Sequence, residues 1–379
     1  MRCRRHEFVL AATGVSVGKR QLEQIVQGAA ADAERFCQDP GRARDEPVLP
    51  VTGQEGNLPP LGLSADGKGV AMLPGTRRRT STAPDKRARN FRKRTGTGEK
   101  AGHKRMAGTG CVFDVAPPGP GRPGPDPGAG HGPRSRHRPE RAAGGNRWYA
   151  CDITAGREVT TGKVPGEAGR RDPGRQRTWI ALAGGDSCQL GLIRAQAAAR
   201  DVTVTTLTGF IHVLRYLWKA AWCFHAPRDP AMKDRVTAQA TGILHGQVAE
   251  VITRIARLAG QHPPRPGSEH AKIIRTALPY LDAKQDYMDC PRALASGWPI
   301  AAGVIEGACR HLAQDQMGIT GARRGLDGAQ AMLWLRAIDA SGDTAAYRDW
   351  PITQEHQRNH LSRYKDSPGP CQDGLGLAA

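Results

Sequence analysis

The chain has 379 residues, enough for two or three domains or for one large domain with insertions. Its 55 Lys and Arg residues outnumber its 36 Asp and Glu residues, and the resulting net charge of +19 favours polyanionic partners such as DNA, RNA or an anionic membrane surface. No stretch approaches the roughly 20 apolar residues that span a bilayer, which argues against an integral membrane protein.

The first 60 residues are predicted to hold a small helical segment and a linker. Apolar side chains recur at helical spacing between residues 15 and 36. We therefore assign residues 1–37 to a helical N-terminal segment, which is a candidate for DNA binding. Residues 38–60 are rich in proline, glycine and charge, and we assign them to a linker.

Two short strands are predicted after this linker. Residues 61–65 and 70–73 are mainly apolar and flank the turn-forming pair Asp66-Gly67. Asp66 would therefore lie where a strand ends, a common position for a site residue. The alternative is an aspartate in an ordinary hairpin turn, and the local sequence does not separate these two interpretations.

A strongly basic segment follows the predicted strands. Residues 77–105 hold twelve Lys or Arg side chains and two acidic ones, and such a segment repels itself unless a polyanion neutralises it. The segment is a candidate for contact with DNA phosphates, and a solvated basic face is the alternative. The candidate DNA-binding residues in this part of the chain are Lys68, Arg77, Arg78, Arg79, Lys86, Arg87, Arg92, Lys93, Arg94, Lys104 and Arg105.

The middle of the chain combines a loop with a predicted βαβ unit. Residues 109–113 resemble a strand, whereas proline or glycine occupies 13 of the 17 positions after residue 116, so residues 117–146 are predicted to be a disordered loop. Further along, the apolar run Trp179–Ala183, a helical stretch over residues 189–200 and the β-branched run Val202–Leu207 follow one another. This succession predicts a strand, a helix and a second strand parallel to the first.

The remainder of the chain is predicted to be mostly helical. Residues 210–224 carry a helical stripe of apolar side chains, and helical patterns continue to about residue 259 and through most of the last third. Glu306 precedes Arg310 by four residues. These two side chains can form a surface ion pair on one helical face, so Glu306 alone does not identify a site.

Three separated segments resemble the Kra-type insertion-sequence transposases, relatives of the Mutator-like group. They are Leu63–Val70, Phe210–Trp222 and Gly297–Leu312, and they occur in the family's order. A fourth segment, Gly321–Ala337, resembles the family's C-terminal block, with Arg324 where the family has tryptophan. The resemblance spans most of the chain.

This resemblance implies a DDE centre, in which two aspartates at adjacent strand ends and a later glutamate hold two Mg²⁺ or Mn²⁺ ions. Paired ions about 4 Å apart activate the attacking oxygen and stabilise the leaving oxygen of a phosphoryl displacement. Asp66 matches the first aspartate and Glu306 the glutamate, whereas Gly184 stands where the family has its middle aspartate. Asp186, two residues further on, is the candidate for a substitute ligand. A further acidic position of the family is Gly209 here, so we expect a degenerate copy.

The expected fold class is α/β, with a ribonuclease-H-like mixed sheet, flanking helices, a helical insertion and the small helical N-terminal segment. The assigned parts are residues 61–224 for the first part of the core, including the loop 117–146, residues 225–290 for the helical insertion, residues 291–340 for the C-terminal catalytic helix region and residues 341–379 for a tail.

The expected function is metal-dependent DNA cleavage and transfer by an insertion-sequence transposase, in impaired or inactive form. Candidate DNA contacts then include Arg310 and Arg323. The alternative is a non-catalytic basic DNA-binding protein, whereas the few aromatic residues, 5% of the chain, disfavour an RNA-stacking protein. The expected partners are terminal inverted repeats, target DNA and a second copy of the chain. Nine cysteines without a CxxC pair indicate a reducing cytoplasm, where such a protein associates with the nucleoid.

Overall fold

The structure is a computed structural model that describes residues 18–39, 58–73, 104–115, 145–155, 157–184, 187–226, 229–318 and 324–356. Over these residues the chain has one five-stranded mixed sheet, and helices pack on both of its faces. The predicted α/β class with flanking helices is therefore confirmed. Most of the basic segment and of the proline- and glycine-rich loop lies outside the described residues.

The sheet places its first strand in the centre. The strands are β1 (Leu61–Ala71), β2 (Lys104–Asp114), β3 (Gly145–Asp152), β4 (Trp179–Ala183) and β5 (Val204–Thr208). Their order is β3-β2-β1-β4-β5; β2 runs antiparallel to both of its neighbours and β4 runs parallel to both of its own. The predicted parallel pair β4 and β5, joined through a helix, is confirmed.

Helices make up most of the remaining described chain. They are α1 (Lys19–Ala29), α2 (Ala33–Gln38), α3 (Arg157–Arg171), α4 (Ser187–Ala198), α5 (Phe210–Trp222), α6 (Pro230–Leu244), α7 (Val248–Gln261), α8 (Glu269–Lys284), α9 (Cys290–Ala295), α10 (Gly303–Ala308), α11 (Asp315–Met317), α12 (Leu326–Ala340) and α13 (Thr344–His356). A 3-10 turn follows α8, and a π-helical stretch, Cys309–Gln314, joins α10 to α11.

The prediction of two short strands around a turn at Asp66 is wrong. β1 is one strand of eleven residues, and it pairs with β2 along its whole length, including the pair Asp66–Thr109. The Asp66-Gly67 pair does not form a turn here, because β2 provides backbone hydrogen-bond partners along the whole of β1. The strand β3 begins at Gly145, slightly before the predicted loop would end.

The two faces of the sheet carry separate cores. On one face, Leu61 and Leu63 of β1 pack with α3 and α4, whose contacts include Val164 and Ile193. The helix α3 comes very close to β2, since a Cβ atom on Gly108 would lie 2.5 Å from the Arg157 Cα. On the other face, the alternate side chains of β1 pack with α10, the π-helical stretch and α12.

Two further clusters complete the core. Phe36 of α2 is fully buried and makes edge-to-face contacts with Tyr347 and Trp350 of α13, a helix within the predicted tail. Helices α5 to α9 share a cluster of their own around Leu217. Three of these helices begin at N-caps: the side chains of Asp229, Ser268 and Asp289 accept hydrogen bonds from backbone N–H groups of α6, α8 and α9.

The buried cysteines provide a test of this packing. Cys111, Cys151, Cys290 and Cys309 are free and buried, and burial raises the pKa of Cys151 to about 12 and that of Cys290 to about 11, and also raises those of Cys111 and Cys309. We expect iodoacetamide at pH 8 to label these four on the order of 100-fold more slowly in native than in denatured protein, because the thiolate reacts. Mass mapping against the half-buried Cys223 checks this, and equal native rates would contradict the packing.

Candidate functional site

Three positions line up across the parallel half of the sheet. The pairing of β1, β4 and β5 aligns Ala65, Ala183 and Thr208, and parallel pairing ends there. The next residues along the three strands are Asp66, Gly184 and Gly209, and the Gly209 N–H donates to the Ala183 carbonyl at 2.9 Å. Asp66 is therefore inside β1, yet it lies where the β1–β4 ladder ends, on the strand next to Gly184.

The Asp66 side chain lies on the face covered by α10 and the π-helical stretch. Side chains alternate along a strand, and Val70 of β1, together with Met72 just after it, packs on that face. Burial raises the pKa of Cys309, the first residue of the π-helical stretch, and the Asp66 carboxylate raises it further. One Asp66 oxygen, Oδ1, accepts a hydrogen bond from the Gly67 N–H at 2.7 Å.

Glu306 approaches from α10. The Phe210 N–H, at the start of α5, donates to the Ile300 carbonyl at 2.8 Å and ties this helix to the segment before α10. The Glu306 Oε1 atom is buried and has no hydrogen-bond donor within the described part of the chain. Its nearest charged or titratable contact is His212 of α5, whose Nε2 lies 3.4 Å away. That separation suits a polar contact and is too loose for a good hydrogen bond.

His212 is a residue of this site that the sequence analysis did not single out. Burial first, and then the charge of Arg215, lower its pKa, whereas the carboxylates of Glu306 and Asp66 raise it. The net lowering leaves the imidazole neutral at pH 7, so its contact with Glu306 is not an ion pair. The sequence signal was its place three residues after Gly209, within the segment Phe210–Trp222 that resembles the transposases.

The imidazole occupies the space that a side chain at position 184 would need. A Cβ atom on Gly184 would lie 2.9 Å from His212 Nε2 and 3.1 Å from its Cε1. The space around Gly209 is also restricted, because a Cβ atom added there would lie 3.2 Å from the Ala302 Cβ. An aspartate at position 184 therefore requires His212 to move.

The lowered pKa of His212 predicts a pH dependence of stability. The unfolded chain takes up the proton more readily than the folded chain, so stability is full above about pH 6.5 and falls as the pH drops through the lowered pKa. We expect the drop in melting temperature from pH 7.5 to pH 5.5 to be smaller in His212→Gln than in the unmodified chain. Calorimetry measures both drops; if they are equal, His212 does not titrate as described.

The described residues do not fit a two-metal centre. The Glu306 Oε1 atom, buried without a donor among the described residues, is a feature that suits a cation. Mg²⁺ requires near-octahedral oxygen coordination, and among the described residues no group of three or more His, Cys, Asp and Glu side chains is placed to share a metal ion. The predicted substitute ligand Asp186 lies outside the described residues.

The remaining candidate residues are scattered or outside the described part. The Arg105 guanidinium donates to the carbonyls of Ile153 and Thr154, at 2.6 and 2.8 Å. Arg310 is exposed and lies 3.7 Å from Asp315, so it does not form the alternative surface pair with Glu306. Lys68 is half-buried on β1 and Lys104 is exposed on β2. The candidates outside the described residues are Arg77, Arg78, Arg79, Lys86, Arg87, Arg92, Lys93, Arg94 and Arg323.

Comparisons with known proteins leave the family open. No model of a known protein family, no curated protein sequence and no solved structure matches this chain. Among the described helices, none is both long enough and apolar enough to cross a bilayer. The function must therefore be argued from the geometry around Asp66, Gly184, His212 and Glu306.

Proposed function

We propose that this chain is a DNA-binding descendant of a Kra-type insertion-sequence transposase, with a ribonuclease-H-like core whose metal-dependent strand cleavage and transfer is impaired. One observation carries the proposal: Asp66, Gly184 and Glu306 converge on one face of the sheet, and the His212 imidazole fills the space beside Gly184. In this proposal Asp66 and Glu306 correspond to two corners of a DDE centre, and Gly184 leaves the third corner without a carboxylate.

The fold supports the ribonuclease-H-like assignment. Such a core needs a mixed sheet with helices on its faces and two adjacent strands whose ends bring acidic residues together. It also needs a later helix that returns a glutamate to the first strand. In this chain β1 and β4 are adjacent and parallel, and α10 packs beside β1 and β2 after the helices α6 to α9.

The charge supports DNA as the partner. A net charge of +19 favours phosphate contacts, because each contact releases counterions from the nucleic acid. The basic residues 77–105 are joined to β1 and β2, the strands that carry Asp66 and its partner Thr109. Terminal repeats, target DNA, a second copy of the chain and a nucleoid location are parts of this proposal.

Titration of a DNA duplex with and without EDTA tests the proposal. We expect binding that EDTA leaves unchanged and that weakens steeply between about 50 and 200 mM salt, since phosphate contacts dominate it. We also expect no cleavage products when Mg²⁺ or Mn²⁺ is added. Absence of DNA binding at low salt, or binding that requires a divalent ion, would contradict the proposal.

A further inference from the structure

A polar groove of about 520 Å³ lies between helices α6 and α7. Three guanidinium groups line it, those of Arg235, Arg254 and Arg257, together with the single carboxylate of Asp234. None of these residues belongs to the site around Asp66 and Glu306. The groove therefore concentrates positive charge on the helical part of the chain.

A hydrogen-bonded relay holds Arg235 in place. The Arg235 Nε donates to His225 Nε2 at 2.8 Å, and His225 Nδ1 donates to the Asp229 carboxylate at 2.7 Å. Because the guanidinium can only donate, Nε2 must be the accepting nitrogen, and the imidazole is neutral with its hydrogen on Nδ1. The relay leaves the terminal nitrogens of Arg235 available, and within the described residues they have no hydrogen-bond partner.

Within the described residues, the other two guanidinium groups form no ion pair. Arg254 donates its Nε to the Glu250 carbonyl at 3.3 Å, and Arg257 makes no hydrogen bond or ion pair within the described part of the chain. Like charges that share one groove repel each other unless an anion neutralises them. Guanidinium groups bind phosphate especially well, because their parallel N–H bonds match its oxygens.

A buried side-chain amide indicates a second group that the ligand must carry. Gln239 lines the same groove and is only 5% exposed. Its Oε1 has almost no accessible surface and no hydrogen-bond donor within the described residues. An unsatisfied buried acceptor costs free energy, and a donor from a ligand would remove that cost once the amide turns towards the groove. The ligand therefore presents an anionic group for the arginines and an N–H group for Gln239.

We infer that this groove binds a nucleotide unit, with its phosphate on Arg254 and Arg257 and a base N–H group on Gln239. A nucleotide has both groups that the groove lacks, and the volume admits more than a bare phosphate. The positive chain favours a nucleic-acid strand as its source over a free nucleotide. The inference takes from the proposed function only that nucleic acid is the partner.

The test compares two charge-matched double variants of the full chain. Arg254→Gln with Arg257→Gln removes two groove charges, whereas Lys272→Gln with Arg275→Gln removes two exposed charges from α8, outside the groove. Fluorescence anisotropy with a short DNA duplex gives the dissociation constant at several salt concentrations. We expect the groove variant to bind roughly 10- to 100-fold more weakly at about 100 mM salt, with a salt slope smaller in magnitude by about 1, because the two arginines share one phosphate. We expect a smaller effect in the control.

A second arm separates failure of this inference from failure of the proposed function. Thermal shift with a nucleoside monophosphate is measured on the unmodified chain, on both double variants and on Gln239→Leu. Stabilisation that depends on Arg254, Arg257 and Gln239, without any DNA binding, would support the groove with a free nucleotide and would contradict the proposed function. Equal weakening of DNA binding in both double variants, with no nucleotide stabilisation, would overturn the inference.

Discussion

Gly184→Asp is expected to lower the stability of the folded chain unless a residue with a smaller side chain also replaces His212. The new Cβ would lie 2.9 Å from the imidazole, so the side chain or the backbone must shift. Overpacking of this kind costs about 1–3 kcal/mol. The added carboxylate also lies near Asp66 and Glu306, and repulsion between like charges adds to the cost.

Gly191→Asp is the matched control, because a Cβ at Gly191 would have no heavy atom within 4 Å. Denaturant unfolding of Gly184→Asp, His212→Ala and their combination gives the coupling free energy, which we expect to be about 0.5–3 kcal/mol in favour of the combination. If Gly184→Asp is as stable as Gly191→Asp, the imidazole does not fill the space beside Gly184.

Mn²⁺ is expected to raise the melting temperature of the combined variant and not that of the unmodified chain. The combination places three carboxylates around the space that the imidazole leaves, and an ion that binds only the folded state stabilises it by about 2.7 kcal/mol at 100 times its dissociation constant. Calorimetry with and without Mn²⁺ measures this gain. An equal gain in the unmodified chain would mean that a metal site is already complete.

Arg177→Met is expected to destabilise the chain by about 3–5 kcal/mol. The Arg177 guanidinium forms a buried ion pair with Asp114 at the end of β2, with side chains 3% and 0% exposed, and its Nε donates to the Pro59 carbonyl at 2.6 Å. The methionine would leave the Asp114 carboxylate buried without its counter-charge, and one of its oxygens already lacks a donor within the described residues. Denaturant unfolding measures the loss.

A nearby exposed pair provides the control. Arg175 lies 3.1 Å from Asp201, with side chains 53% and 93% exposed, so Arg175→Met is expected to cost less than about 1 kcal/mol. Replacing both buried partners, as Arg177→Met with Asp114→Leu, is expected to cost less than Arg177→Met alone, because no unpaired charge remains. A loss in Arg177→Met no larger than in Arg175→Met would contradict the assigned burial.

The parallel part of the sheet could be predicted because its sequence carries the signal locally. Trp179–Ala183 is a short apolar run with both faces buried, and the strand forms at those residues. The β-branched residues of β5 and the apolar stripe of α5 also indicate their secondary structure locally. Both elements begin within two residues of the predicted position.

The elements that the sequence analysis missed depend on tertiary contacts. The helix α3 contains Gly162 and Pro165 and carries the β-branched run Val159–Thr161, all of which weaken a helical pattern. It forms where Gly108 and Gly110 of β2 allow close approach, since a Cβ on Gly110 would lie 2.5 Å from Val164. The strand β3 is likewise short and carries no strict alternation.

Only part of the candidate site could be predicted from the sequence, because the rest also depends on tertiary contacts. Asp66 and Glu306 stand out through motifs, and Gly184 stands out through the acidic residue that it lacks. His212 belongs to a helical stripe with no local sign of a site, and only the packing of α5 beside the end of β4 brings it to Gly184. A side chain that fills a missing neighbour's space cannot be recognised from spacing along the chain.

The central claim is that this chain binds DNA without cutting it, and a Mn²⁺-dependent nicking assay on DNA carrying the element's own ends tests it most directly. The assay compares the unmodified chain with Gly184→Asp/His212→Ala, alongside binding to the same DNA. We predict binding without nicking by the unmodified chain, because Gly184 and the His212 imidazole lie where the proposed centre would need its third carboxylate. Nicking by the unmodified chain that Asp66→Asn and Glu306→Gln each abolish would contradict the claim.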